Sequence, residues 1–149
     1  MRTKIDLQND ESLADLPDQQ DFEAWVNAAL MQNFDNLEQT IRVVGKAESG
    51  ALNLQYRGND APTNVLSFTT DNDYLDYECL GDLVICAPIV ELEAQQQSKS
   101  LQAHWAHMVV HGMLHLQGYD HQNATEADEM EALEAKILST LSYSNPYNS

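Results

Sequence analysis

His111-Gly112-Met113-Leu114-His115-Leu116-Gln117-Gly118-Tyr119-Asp120-His121 ends a long run of helix-compatible residues. The stretch reads H-x3-H-x5-H. His111 and His115 are four apart, so on a helix they stack on one face, one turn apart. His121 would point elsewhere if the helix continued. Gly118 offers the way out, because glycine enters the left-handed region without a Cβ penalty and commonly ends helices. A turn there can return His121 to the other two. Three neutral imidazoles about 2.0–2.1 Å from one ion, with a fourth position open, make the pattern of a catalytic zinc site. The spacing therefore predicts one Zn2+, or another divalent ion, on His111, His115 and His121. His104 and His107 complete the five histidines, all between 104 and 121. A 107/111 pair is also one turn apart, but no glycine turn brings it a third ligand, so packing or supporting roles are expected for His104 and His107.

The spacing is similar to that of metzincin-type zinc peptidases, H-E-x-x-H-x-x-G-x-x-H. Both later histidines and the glycine match, but Gly112 stands where the peptidase has its glutamate base. Peptide hydrolysis would lack its proton acceptor.

Outward from this stretch, the chain reads as one domain over 1–149. A strand is expected over 2–8, then a loop, then a helix from Asp21 to Phe34 with Phe22, Trp25, Val26, Ala29, Leu30 and Phe34 on one apolar face. Gln39 to Val44 reads as a strand and Ala47 to Tyr56 as a short helix. Val65 to Phe68 and Leu80 to Cys86 are β-type runs, separated by an acidic loop holding Asp71, Asp73, Asp76 and Glu78. Helices follow over Pro88–Gln97, Leu101–Leu116 and Asn123–Leu141, the last capped by Asn123 or Thr125, before an irregular tail. Early strands mixed with helices, then helices alone, indicate an α+β domain. The metal site falls on a late helix and the turn after it.

The constellation resembles the YbeY family of endoribonucleases and rRNA maturation factors. The family signature H-G-x-L-H-L-x-G-Y-D-H is met at every fixed position from His111 to His121. Leu52-Asn53-Leu54-Gln55-Tyr56-Arg57-Gly58 with Asp60, Pro62-Thr63-Asn64-Val65-Leu66-Ser67-Phe68, and Gly81-Asp82-Leu83-Val84-Ile85-Cys86 match as well. Asn64 and Thr69 stand where the family often has Asp and Pro. The resemblance runs from about Leu52 to Leu141. It implies a mixed four-stranded sheet with about five helices. It also implies a zinc-dependent, single-strand-specific endoribonuclease acting in rRNA processing, at late 16S rRNA 3′-end maturation, and in ribosome quality control. Its partners would be rRNA, the pre-ribosomal small subunit and ribosomal or assembly-factor proteins. Arg57 occupies the family's arginine position, and a planar guanidinium fork suits the charge of a phosphodiester transition state. Ser67 and Asn64 would line the cleft. Asp120 is expected in a turn contact or as a support for an imidazole. Two other classes stay open: a metal-dependent hydrolase of another bond, and a non-catalytic assembly factor with a structural metal.

Composition bounds these readings. No apolar run approaches a membrane span and no apolar segment follows the N-terminus, so a cytoplasmic protein is expected. Cys79 and Cys86 lack ligand-pair spacing and read as reduced packing residues. A net charge of −17 with seven Lys and Arg opposes a broad nucleic-acid footprint. Engagement of RNA would then need either a locally positive cleft or a basic protein partner.

Overall fold

Along Asn36–Val44, Leu37, Gln39, Ile41 and Val43 are buried while Glu38, Thr40 and Arg42 are half-covered. A period of two places the buried set on one face of a strand. The structure, a computed structural model, describes residues 2–9, 13, 15–32, 34, 36–69, 79–120 and 123–147. Its elements are β1 (Arg2–Gln8), α1 (Gln19–Ala29), β2 (Asn36–Val44), α2 (Lys46–Arg57), β3 (Val65–Thr69), β4 (Gly81–Cys86), α3 (Ala87–Gln96), α4 (Leu101–Leu116) and α5 (Ala124–Thr140). The strands form one mixed sheet in the order β1-β2-β4-β3. β1 and β4 run parallel to β2, with Ile5 opposite Gln39 and Ile41 opposite Leu83. β3 is antiparallel to β4, with Val65 opposite Ile85. The fold is the expected α+β arrangement.

The larger core lies on one face of this sheet. Leu37, Ile41, Leu83 and Ile85 meet Phe22 and Trp25 of α1, Trp105 and Met113 of α4, and Met130 and Ile137 of α5. Phe22 packs edge-on against Trp25 and Trp105, with ring centres 5.6 and 5.8 Å apart. Each such large side chain contributes about 1.5–3 kcal/mol by leaving water. On the second face Val44, Leu66, Val84 and Cys86 form a smaller cluster with Leu52 of α2 and Ile89 of α3. There Ser49 Oγ donates to the Thr63 carbonyl and accepts its N–H, both at 3.0 Å, while Asn53 Nδ2 donates to the Ala61 carbonyl at 2.8 Å. These bonds hold the loop before β3 against α2. Cys86 is thus a core residue, as expected.

Helix α4 is the central element. From His104 to Val110 every residue is buried, because α1, α3, α5 and the sheet all pack on it. A helix covered on nearly all sides needs little amphipathic contrast. Among the described residues, no helix is long and apolar enough to cross a membrane.

Two boundaries depart from the sequence reading by three residues or more. The helix expected from Asp21 to Phe34 stops at Ala29. Gln117, at the end of α4, donates from Nε2 to the Ala29 carbonyl and accepts the Met31 N–H through Oε1, both at 2.8 Å. These bonds satisfy backbone groups that another helical turn would have used. Phe34 is buried nonetheless, just ahead of β2. β2 begins at Asn36 rather than Gln39, because β1 pairs along its whole length, from Arg2 opposite Asn36 onward.

Candidate metal centre

The site begins with the ends of α4. Ser100 caps its start, Oγ accepting the Ala103 N–H at 3.0 Å. At its end Tyr119 N–H reaches the Leu114 carbonyl and Gly118 N–H the His115 carbonyl, both at 3.0 Å, with Gly118 at φ +100°. This is the glycine-terminated closure of a helix. The turn expected at Gly118 is therefore present. Gly112 lies against the sheet. A Cβ there would stand 2.7 Å from Leu83 Cδ2 and 3.3 Å from Val65 Cγ2. Ser67 Oγ also donates to the Gly112 carbonyl, at 3.3 Å. The position of the peptidase glutamate is thus a packing contact, with no room for a carboxylate base.

On the neighbouring face, His111 and His115 turn their Nε2 atoms toward each other at 3.1 Å. Two nitrogens on one tetrahedral ion, each about 2.0–2.1 Å away, stand about 3.3 Å apart. Two imidazole lone pairs at such a distance repel unless a proton or a metal cation lies between them. The donor set and spacing fit a shared transition-metal ion. His111 is 24% exposed at its side chain, so the pair is reachable from solvent. The third expected ligand, His121, lies outside the described residues. Among the described residues, no group of three or more His, Cys, Asp or Glu side chains is placed to hold an ion.

Behind His111 stands Glu134 of α5, a completely buried carboxylate. Its Oε1 accepts from His111 Nδ1. Its Oε2 accepts from His107 Nε2 at 3.2 Å and from the Tyr147 hydroxyl. Burial alone would raise the carboxyl pKa; the hydrogen bonds from His107, His111 and Tyr147 outweigh it and bring the group down to about 2. Burial, and then Glu134, push the Tyr147 phenol up, so it stays protonated and donates.

The polar chain continues away from the site. Lys99 Nζ lies 3.4 Å from His107 Nδ1 and 3.3 Å from His104 Nδ1. His104 Nε2 meets Glu93 Oε1 at 2.9 Å, and Asn64 Nδ2 donates to the same oxygen at 3.1 Å. Burial lowers the His104 pKa despite the Glu93 hydrogen bond. The 2.9 Å contact, short enough for an ion pair, is therefore a hydrogen bond from a neutral ring. Burial likewise lowers the Lys99 pKa, against the attraction of Glu93 and Glu134. A cavity of about 400 Å³ lined by Asn64, Glu93, His104, His107, His111 and Tyr147 opens beside this chain.

Arg57 is exposed in the last turn of α2. Among the described residues no ion pair engages its guanidinium. Its neighbour Tyr56 packs edge-on with Phe68 of β3 at 4.8 Å, and β3 reaches α4 through the Ser67 bond to Gly112. One strand thus links the arginine's helix to the histidine helix. Asn64 does line the cavity beside His111, whereas the Ser67 hydroxyl is directed to the backbone of α4. Asp120 is half-buried just after the Gly118 turn. The acidic loop around Asp71, Asp73, Asp76 and Glu78 lies outside the described residues. Lys4 pairs with Glu38 at 3.5 Å and Arg42 with Glu48 at 2.5 Å.

Two residues of the site are missing from the sequence reading. Glu134 sits in a helix dense with acidic residues and looks like solvated charge. The available signal was its step, four beyond Met130 and three before Ile137 on the buried face. Tyr147 falls in a tail read only as irregular; nothing local marks it.

The pattern of the family described as endoribonuclease YbeY matches residues 5–142. The fold is similar to the solution structure of TM1509 from Thermotoga maritima, with a TM-score of 0.52 and 24% identity, over 99% of this chain and 96% of that one.

Proposed function

Because the chain belongs to the endoribonuclease YbeY family, we propose that it is a metal-dependent, single-strand-specific endoribonuclease of rRNA maturation, acting near the 16S rRNA 3′ end and in ribosome quality control. One zinc ion is held by His111, His115 and His121. The observation that carries this reading is the convergence of the His111 and His115 Nε2 atoms at 3.1 Å on a solvent-reachable helix face. When bound, the ion supplies a Lewis acid for a phosphoryl oxygen and lowers the pKa of water.

The protein's own groups do the rest. Glu134 accepts a hydrogen bond from His111 Nδ1 and so keeps that proton on the side of the ring away from the ligating nitrogen. Gly112 fixes the helix close to the sheet, so the histidine pair is carried on a rigid element. Arg57, unengaged by any described carboxylate, offers a guanidinium for the extra phosphate charge of the transition state. The filled space at Gly112 tells against peptide hydrolysis by a glutamate base, although the metal spacing is shared.

The partners follow from charge. With a net charge of −17 the chain repels bare RNA over most of its surface. Delivery on the pre-ribosomal small subunit, through basic ribosomal or assembly-factor proteins in the cytoplasm, supplies the missing attraction. Cleavage of a single-stranded rRNA fragment, with chelator and after zinc is restored, tests the function. The reading requires loss and recovery of cleavage. Equal cleavage by metal-free and zinc-loaded protein contradicts it.

A further inference from the structure

Glu134 and Lys99 constrain which ring nitrogens of His107 and His111 carry protons. A carboxylate only accepts hydrogen bonds and an ammonium only donates them. His107 lies between the two. Its Nδ1 is 3.4 Å from Lys99 Nζ and its Nε2 is 3.2 Å from Glu134 Oε2. Its Nδ1 must therefore accept and its Nε2 donate, and both ring nitrogens are used. His104 is fixed the same way, Nδ1 to Lys99 at 3.3 Å and Nε2 to Glu93 at 2.9 Å. His111 is the reverse. Its Nδ1 faces Glu134 Oε1 and must donate, so in the neutral ring a ligand needs, the lone pair is on Nε2, the atom 3.1 Å from His115 Nε2.

The geometry points to Glu134 as the positioning residue of the metal centre: with Lys99 it sorts His107 and His111, one turn apart on α4, into opposite tautomers, so that only His111 presents an Nε2 lone pair to an ion. This inference rests on the zinc assignment proposed above. It explains why, of two pairs at the same four-residue spacing, 111/115 closes on an ion and 107/111 does not. The ring centres agree, at 4.6 Å for the first pair and 6.4 Å for the second. Tyr147 holds Glu134 Oε2 from the other side and keeps the carboxylate plane aimed at both rings. Glu134 touches no substrate in this scheme; it acts through His111.

Zinc affinity of the full-length protein, by competition with a chromogenic chelator, and the imidazole 15N signals of the metal-free protein test the assignment together. In the wild type, His111 should be protonated at Nδ1 and His107 at Nε2. Glu134→Ala should lower zinc affinity on the order of 10–100-fold and shift His111 toward a mixture of tautomers. Glu134→Gln keeps an oxygen for His111 Nδ1 but loses an acceptor for His107, so its affinity should fall between. If Glu134→Ala fails to fold, Glu134→Gln and its 15N signals carry the test alone. Wild-type affinity and wild-type tautomers in every folded Glu134 variant would overturn the positioning role. His111→Ala separates the two claims: if it binds zinc as the wild type does, the metal assignment itself is wrong; if it loses zinc while the Glu134 variants are unaffected, only the positioning role fails.

Discussion

At the scale of single residues, the site divides into groups that hold, groups that orient and one that meets charge. In the proposed scheme His111 and His115 would hold the ion, Glu134 would orient His111, and Arg57 would meet phosphate charge. Arg57→Ala should leave zinc content and thermal stability near wild type, because the side chain is exposed and unpaired with any described carboxylate. Its rate of RNA cleavage should fall on the order of 10²–10³, the usual effect of losing a preorganised charge partner. Steady-state cleavage beside zinc analysis checks this, and a wild-type rate reduces Arg57 to surface charge. The buried histidine gives a pH effect. His104 is 1% exposed and faces Glu93 of α3, Lys99 of the turn before α4 and His107 of its own helix. Its pKa is lowered from 6.5, chiefly by burial, so the folded protein takes up this proton less readily than the unfolded chain. The stability it contributes is complete above pH 6.5 and is lost as pH falls through the lower folded value. Urea unfolding of metal-free protein between pH 7.5 and 5 should show this slope, flattened in His104→Gln; an equal slope in the two contradicts it.

At the scale of elements, α4 is the part most fully written in its own sequence. Ser100 at its start, Gly118 at its end and the apolar run between them set its bounds within the segment itself, and the expected range matches the observed one. The start of α5 came close to expectation for the same reason, Asn123 capping Glu126 N–H at 2.9 Å. The end of α1 was not legible, because it is set by Gln117, 86 residues beyond Met31. Glu134 was hidden for a related reason: its partners lie on α4, and a carboxylate 23 residues from His111 has no local mark of its role. Gly112 was legible only as a departure from the peptidase pattern; its cause, the contact with Leu83, belongs to the packing of α4 on the sheet. Gly112→Ala should therefore destabilise the protein. Helix propensity favours alanine by about 1 kcal/mol, but a methyl 2.7 Å from Leu83 Cδ2 in a closed core overpacks at a cost of about 1–3 kcal/mol. A net loss of about 1 kcal/mol in urea unfolding is expected, and a gain would show that the helix and sheet yield freely. Gly112→Glu should fail to fold stably rather than become a peptidase.

At the scale of the whole molecule, the charge is the constraint on how RNA is reached. Two of the seven cations, Lys4 and Arg42, are paired with Glu38 and Glu48, and Lys99 is turned inward among histidines. That leaves fewer cations to meet phosphates than the composition alone suggests. Binding to naked rRNA should be weak, with a shallow salt slope corresponding to about one to four phosphate contacts. Titration of one fragment across a salt series measures it, and activity should rise when pre-ribosomal particles replace bare transcript. Tight binding with a steep slope would mean that partner delivery is unnecessary.

All these scales meet in the proposed ion. Its most direct measurement is metal content per chain after purification, by mass spectrometry of the wild type and of His111→Ala, His115→Ala and the triple variant including His121→Ala. The account predicts one tightly held zinc per wild-type chain, loss of it in each variant, and a retained fold in His115→Ala by circular dichroism. A full complement of zinc in the triple variant would contradict the assignment of the metal centre, and with it the proposed chemistry.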